Sequence, residues 1–327
     1  MKLQKWLELL IAIMDKHPIL SLCIPTNGAV EWILPVIESI YSQGYDNEKF
    51  EVVITDNGKD SHLPVHIAKM SYPNLRYKQT TDEGFLNLVS CLKEGKGLFC
   101  KMINHRSVML PGSIADMVAL VEKYKDTQPV IYCSDGNIKC ETDFVECSNI
   151  DEFVRHLSYW CSWSAGIGFW HKDIPVIPNI QLNEMFPNAS LLFEIRKESE
   201  YVIWNKKYEQ MCDDSGKGGY NLFHTFGVVL LDIIKGLFDD GRISSEAFGI
   251  VKKDLLGFLT ELYKSEVILP TKHTFILKDI KKNVEVYYGV GGYWQMIIKA
   301  NFYAFYTCIV SIASKVLKPI LASFNRK

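Results

Sequence analysis

Three short polar runs each follow an apolar stretch with the make-up of a strand, and they hold the side chains best suited to chemistry. Pro25-Thr26-Asn27 follows Ile19–Ile24, Asp56-Asn57-Gly58 follows Phe50–Ile54, and Asn104-His105-Arg106 follows Leu98–Ile103. Ligands of open α/β sheets bind beyond the carboxyl ends of the strands, so the three runs are expected to meet on one sheet edge and form the active site there. Each run also has a purely structural reading. Pro25 can end a strand, Thr26 or Asn27 can cap a helix, and Asp56-Asn57-Gly58 is a sound turn with no ligand.

Stepping out from those runs, the chain alternates strand and helix as far as Cys133. Glu31–Gln43 carries Ile33, Leu34, Ile37 and Ile40 at helical spacing and stops at Gly44. A weaker strand follows at Asn74–Lys78, then a helix over Gly84–Glu94. A further helix opens at Pro111-Gly112 and runs to about Tyr124, and a strand spans Val130–Cys133. This order implies right-handed crossovers and a mostly parallel sheet flanked by helices. At 327 residues the chain is long enough for roughly two domains. The expected division is a sheet domain over 1–212 and a helical C-terminal region over 213–327.

Composition removes several function classes. With 36 basic against 38 acidic residues, the formal charge of −2 gives no basic footprint for nucleic acid. No GxGxxG follows the first strand and no GxxxxGK[ST] occurs, so dinucleotide and P-loop readings have no anchor. Gly289-Val290-Gly291-Gly292 reads as a connector. The nine cysteines are scattered without a CxxC pair, which points to a reducing, cytoplasmic setting. At the N-terminus, Leu3, Trp6, Leu7, Leu10, Ile11 and Met14 have helical spacing and Glu8 interrupts the apolar stretch, so an amphipathic helix is read there.

The runs LSLCIPTNG, FEVVITDNG and GKGLFCKMINHRSVMLPGSI, taken in order, resemble the GT-A fold glycosyltransferases of family 2. The nearest likeness is to bacterial enzymes that build capsules, O-antigens and related surface polysaccharides, over roughly residues 18–205. The resemblance implies a Rossmann-like GT-A sheet and an inverting transfer from a nucleotide-diphosphate sugar, UDP by family frequency, to a glycan or lipid-linked oligosaccharide. It also implies that Pro25, Thr26 and Asn27 border the nucleotide, that Asp56 bonds its base or ribose, and that Asn87 lies near it. Asn104 and His105 fall in the same donor-binding loop. A non-catalytic homologue that binds nucleotide-sugar or glycan is the alternative. A nucleotidyltransferase would need a Gly-rich, basic loop after the first strand, which PTNGAVEW does not supply.

One departure from the family pattern has chemical weight. An Asp-x-Asp-type cluster usually seats a divalent metal on the donor diphosphate, but His105, Arg106 and Ser107 stand there, with no carboxylate between Glu94 and Asp116. Mg²⁺ would lack oxygen ligands, while a lone His105 could coordinate Mn²⁺ or act only as a hydrogen-bonding residue. No metal ligand set is therefore expected, and Arg106 is expected to neutralise the leaving diphosphate through its bidentate fork. For the base that takes the acceptor proton, Glu184 is the first candidate and Asp135 the second, with Asp213 and Asp214 behind them. Lys217, among the glycines of Asp213–Gly219, is expected either to close over the diphosphate as part of a lid or to lie in a plain linker.

Tyr220–Tyr263 is helical in spacing. In the last helix, Asn301–Ser314 has no charge, and Phe302, Phe305, Tyr306, Ile309, Ile312 and Val316 line one side. Fourteen residues cannot span a bilayer. Two readings stay open, an interfacial anchor at the inner face of the plasma membrane and a helix docked on its own domain.

Overall fold

The structure is a computed structural model that describes residues 17–212, 215–269 and 271–324, with the side chains of the last stretch described as far as Val310. The amphipathic helix expected over the first sixteen residues, Asp213 and Asp214, and the side chains of Ile312 and Val316 lie outside the described residues. The chain divides into two compact units, Met1–Asp213 and Asp214–Lys327.

The first unit is built on an eight-stranded sheet in the order β3-β2-β1-β4-β8-β6-β9-β7. Its strands are β1 (Leu20–Thr26), β2 (Phe50–Asp56), β3 (Leu75–Gln79), β4 (Phe99–Met102), β6 (Val130–Cys133), β7 (Phe144–Cys147), β8 (Ile167–Trp170) and β9 (Tyr201–Trp204). β1, β2, β3 and β4 pair in parallel. β8 runs against both β4 and β6, so those two point the same way, and β9 lies parallel to β6. Strands β1, β2, β3, β4, β6 and β9 therefore share one carboxyl edge.

β1 and β2 read as continuous apolar runs because both sheet faces are covered, so every β2 residue is buried. On one face α1 (Val30–Tyr41) turns Ile33, Val36, Ile37 and Ile40 inward, beside Ile114, Met117 and Val121 of α3 (Ser113–Tyr124). α2 (Asn87–Glu94) packs on β1 and β2. The helix expected from Gly84 starts as a 3₁₀ turn at Gly84–Leu86 and becomes α-helical at Asn87. A short ribbon joins β5 (Ser107–Met109) to β10 (Glu209–Met211) in antiparallel register, with Met211 opposite Ser107.

The second unit pairs β11 (Gly218–Asn221) with β12 (Thr274–Ile276) and carries the helices α5 (Leu230–Asp239), α6 (Ser245–Tyr263) and α7 (Ile280–Phe324). The helical run expected over Tyr220–Tyr263 is interrupted between α5 and α6. There the Ser244 hydroxyl accepts the Ala247 N–H at 3.1 Å and starts a new helix. The glycine run expected to be a connector falls at a kink in α7, where Gly289 (φ 62°, ψ −176°) leaves the helical conformation and joins two helical stretches. Leu230, Leu231, Ile234, Val251, Leu255 and Leu259 supply the unit's core.

Candidate active site at the carboxyl edge of the sheet

The first two strand ends are locked together by backbone and two buried polar side chains. Thr26 stands opposite Asp56, and Asp56 opposite Gln79. Asp56 is fully buried. Its Oδ1 accepts the Gly58 N–H at 2.8 Å and its Oδ2 accepts the Tyr77 hydroxyl at 2.9 Å. Burial, and then the bond to Asp56, raise the Tyr77 pKa. A Cβ on Gly28 (φ +82°) would lie 2.5 Å from Ser61 Oγ, and one on Gly58 2.3 Å from the Asn27 carbonyl oxygen, so both positions require glycine. Asn87 is buried as well. Its amide donates to the Thr26 and Thr55 carbonyls, each at 3.0 Å, and its Oδ1 accepts the Thr80 hydroxyl at 3.0 Å. As placed, Asp56 and Asn87 shape the edge from beneath and present no exposed oxygen to a ligand. Pro25 is half-buried within β1, and Asn27 is the exposed member of its run.

The β4 loop joins this frame through His105. Its Nδ1 lies 2.8 Å from Thr26 Oγ1, which also accepts the Gly28 N–H at 3.2 Å. Burial, with the Arg106 charge adding to it, lowers the His105 pKa to about 4. The ring is thus neutral at pH 7, with a proton on one of its two nitrogens. Asn104 shapes the turn by accepting the Arg106 N–H on its Oδ1 at 3.0 Å. The Arg106 guanidinium stacks on Trp32 of α1, 3.3 Å from the ring centroid. Trp32 also meets His105 edge-on at 5.4 Å. Sequence reading missed Trp32, whose helical spacing marks it only as an α1 residue. Stacking of this kind fixes the plane of the guanidinium.

Carboxylates reach the same edge at the end of β6. Asp135 (φ 53°) accepts the Tyr208 and Glu209 N–H groups on Oδ1, at 2.6 and 3.0 Å. Burial raises its pKa against the pull of those bonds. Glu209, also missed in the sequence, is almost wholly buried, and its Oε2 has no hydrogen-bond partner among the described residues. Burial raises its pKa to about 7, opposed by Lys101 and a Ser107 hydrogen bond and assisted by Asp135. The buried Lys101 donates to the Met102 carbonyl at 2.8 Å and to the Ala165 carbonyl, and burial lowers its pKa. Asp135, Glu209 and Lys101 thus act on one another electrostatically, and the Arg106 carbonyl accepts the Cys212 N–H at 2.9 Å.

Glu184 is exposed on a bend before α4 (Pro187–Glu194), and no hydrogen bond among the described residues ties it to these loops. Lys217 belongs to the second unit. Its carbonyl accepts the Thr274 N–H at 2.8 Å at the head of the β11–β12 pair, so this part of the expected lid or linker is anchored backbone. Among the described residues no three His, Cys, Asp or Glu side chains gather as a metal would need.

No family model matches the sequence. An uncharacterized glycosyltransferase of Rickettsia prowazekii is 23% identical over 136 residues, covering 41% of this chain and 42% of that protein. Another from Rickettsia felis is 24% identical over 116 residues, 35% of this chain and 19% of that protein. The matched stretch thus spans less than half the length of these curated relatives. Among solved structures, S. aureus TarS 1–349 in complex with UDP is similar at a TM-score of 0.54 and 13% identity, over 85% of this chain and 80% of that one. Such a likeness is one of architecture, and it agrees with the mostly parallel sheet, its flanking helices and the helical region that follows. The chain has a glycosyltransferase fold.

Proposed function

We propose that this chain is an inverting GT-A glycosyltransferase of the family 2 kind. It takes a sugar from a nucleotide-diphosphate donor, UDP first, and adds it to a growing lipid-linked bacterial surface glycan at the inner membrane face. The observation that carries the reading is the shared carboxyl edge of β1, β2, β4 and β6, with Thr26, His105, Arg106 and Asp135 at or just beyond the strand ends, in a fold similar to one solved with UDP.

The chemistry follows from charge. The acceptor hydroxyl attacks the anomeric carbon as the bond to the diphosphate breaks, and negative charge collects on the departing group. Arg106, held against Trp32, brings positive charge to that group. Neutral His105 offers an N–H. Asp135 takes the acceptor proton, in preference to Glu184, because it stands at the sheet edge with both hydrogen bonds on Oδ1 and burial raising its basicity. Pro25, Thr26 and Asn27 border the nucleotide, while Asp56 and Asn87 hold the loops that do so. Lys217 is assigned no step. The donor set at β4 supports transfer without a divalent metal.

A thermal-shift panel of UDP-, GDP-, dTDP- and CMP-sugars tests the reading. A donor at 100 times its Kd adds about 2.7 kcal/mol to stability. No shift with any donor would sink it. Binding without donor turnover across a panel of lipid-linked acceptors would favour the non-catalytic homologue, the reading suggested by the missing acidic cluster.

A further inference from the structure

We propose that the aromatic face of α7 seats this chain on an anionic lipid surface. The inference stands apart from the transferase reading, because it rests on the second unit alone. Beyond its bend at Gly289, α7 turns Met296, Ala300 and Ala304 inward at i, i+4 spacing, and all three are buried. The other side carries Trp294, Ile298, Phe302, Phe305, Tyr306 and Ile309, between 47% and 66% exposed. Every residue from Phe305 to Val310 is exposed, so the helix has left the packing of its own unit by that point. Of the two readings open in the sequence, docking on its own unit leaves this face uncovered.

A contiguous apolar surface of this kind marks an interaction site, since leaving it in water is unfavourable. Charge selects the occupant. After Glu285 no acidic residue occurs, while Lys299, Lys315, Lys318, Arg326 and Lys327 do. A second copy pressed on this face would bring basic residues together with no acid to pair them, whereas a layer of anionic headgroups complements them. The aromatic composition points the same way. Trp294 and Tyr306 carry a polar atom on an apolar body, which suits the boundary between headgroup and acyl chain. No described helix is long and apolar enough to cross a membrane, so the contact is a helix lying in the interface.

Vesicle flotation of the full chain tests this directly. Vesicles of phosphatidylcholine with phosphatidylglycerol should bind at least tenfold more protein than pure phosphatidylcholine, and 0.5 M salt should reduce the difference. The triple variant Phe302→Gln, Phe305→Gln and Tyr306→Gln should lose at least tenfold in binding with an unchanged melting temperature, because all three side chains are exposed. The proposal is overturned if the full chain ignores anionic vesicles or the variant binds them as well as the parent. It is also overturned if light scattering shows a dimer that the triple substitution dissociates, which would make the face a contact between copies. Donor thermal shifts in the same samples report on the first unit, so failure of the anchor and failure of the transferase reading are distinguishable.

Discussion

Replacing Glu209 by glutamine removes an ionisation that the fold opposes. The residue is 3% exposed and its Oε2 lacks a partner among the described residues, so the charged form gives up water and gains little in return. Its pKa rises from 4.5 to about 7, with burial as the main cause. The folded chain therefore keeps a proton that the unfolded chain releases between pH 4.5 and 7, and stability falls as pH climbs through that window. At 1.36 kcal/mol per pKa step, the ionised carboxylate costs about 3 kcal/mol above pH 7. Lys101 and Asp135 act on the carboxylate with opposite effects, so the expected difference is about 2–3 kcal/mol. Glutamine has the same shape and no charge. Urea unfolding at pH 4.5 and pH 8 should show Glu209→Gln gaining that much on the parent between the two values. His105 titrates in the opposite sense, since its lowered pKa makes stability rise with pH from about 4 to 6.5. That contribution is common to both proteins and cancels in the comparison. Parallel pH profiles would refute the reasoning, because they would mean that Glu209 ionises as it does in water.

Three other outcomes follow from the site. EDTA should leave turnover nearly intact, while Arg106→Ala should lower kcat by roughly 10²–10³-fold, the usual loss for one transition-state donor; activity abolished by chelation and restored by Mn²⁺ would overturn the metal-free mechanism. Asp135→Asn should cut kcat far more than Glu184→Gln, in steady-state assays with saturating donor, and the reverse order would return the base to the exposed bend. Gly28→Ala forces a Cβ to within 2.7 Å of Ser61 Cβ and 3.1 Å of Asp56 Oδ1 at a φ of +82°, so it should cost at least about 1 kcal/mol of stability. Calorimetry should show weaker donor binding in the same variant, and unchanged binding would separate the Asp56 frame from the donor site.

Much of the site's skeleton was legible because its strands are buried on both faces. The continuous apolar runs of β1 and β2, each closed by turn-forming residues, identify both the strands and the ends where ligands meet an open sheet. The antiparallel insertion of β8 between β4 and β6 was not legible. A four-residue apolar run reads the same in either direction, and its partners are chosen by the rest of the sheet. Asp56 and Asn87 were legible as polar residues at strand ends, but their orientation was not. A carboxylate followed by Asn-Gly satisfies a turn or a ligand equally well, and only the approach of Tyr77 and Gly58 turned it inward.

The sequence by itself determined the strand–helix alternation, the polar runs at the ends of β1, β2 and β4, the lack of an acidic pair after β4, and the basic, aromatic character of the last helix. These are local properties, set by how each residue partitions between core and water and by the turn chemistry of its neighbours. Tertiary structure alone decided that Trp32 lies under Arg106, that Glu209 is buried near Lys101 and Asp135, and that the aromatic face of α7 stays uncovered. Each depends on groups distant in the chain meeting in low-dielectric surroundings, or failing to meet. Periodicity can show which side of an element is apolar, but the packing of the other elements determines what, if anything, covers it.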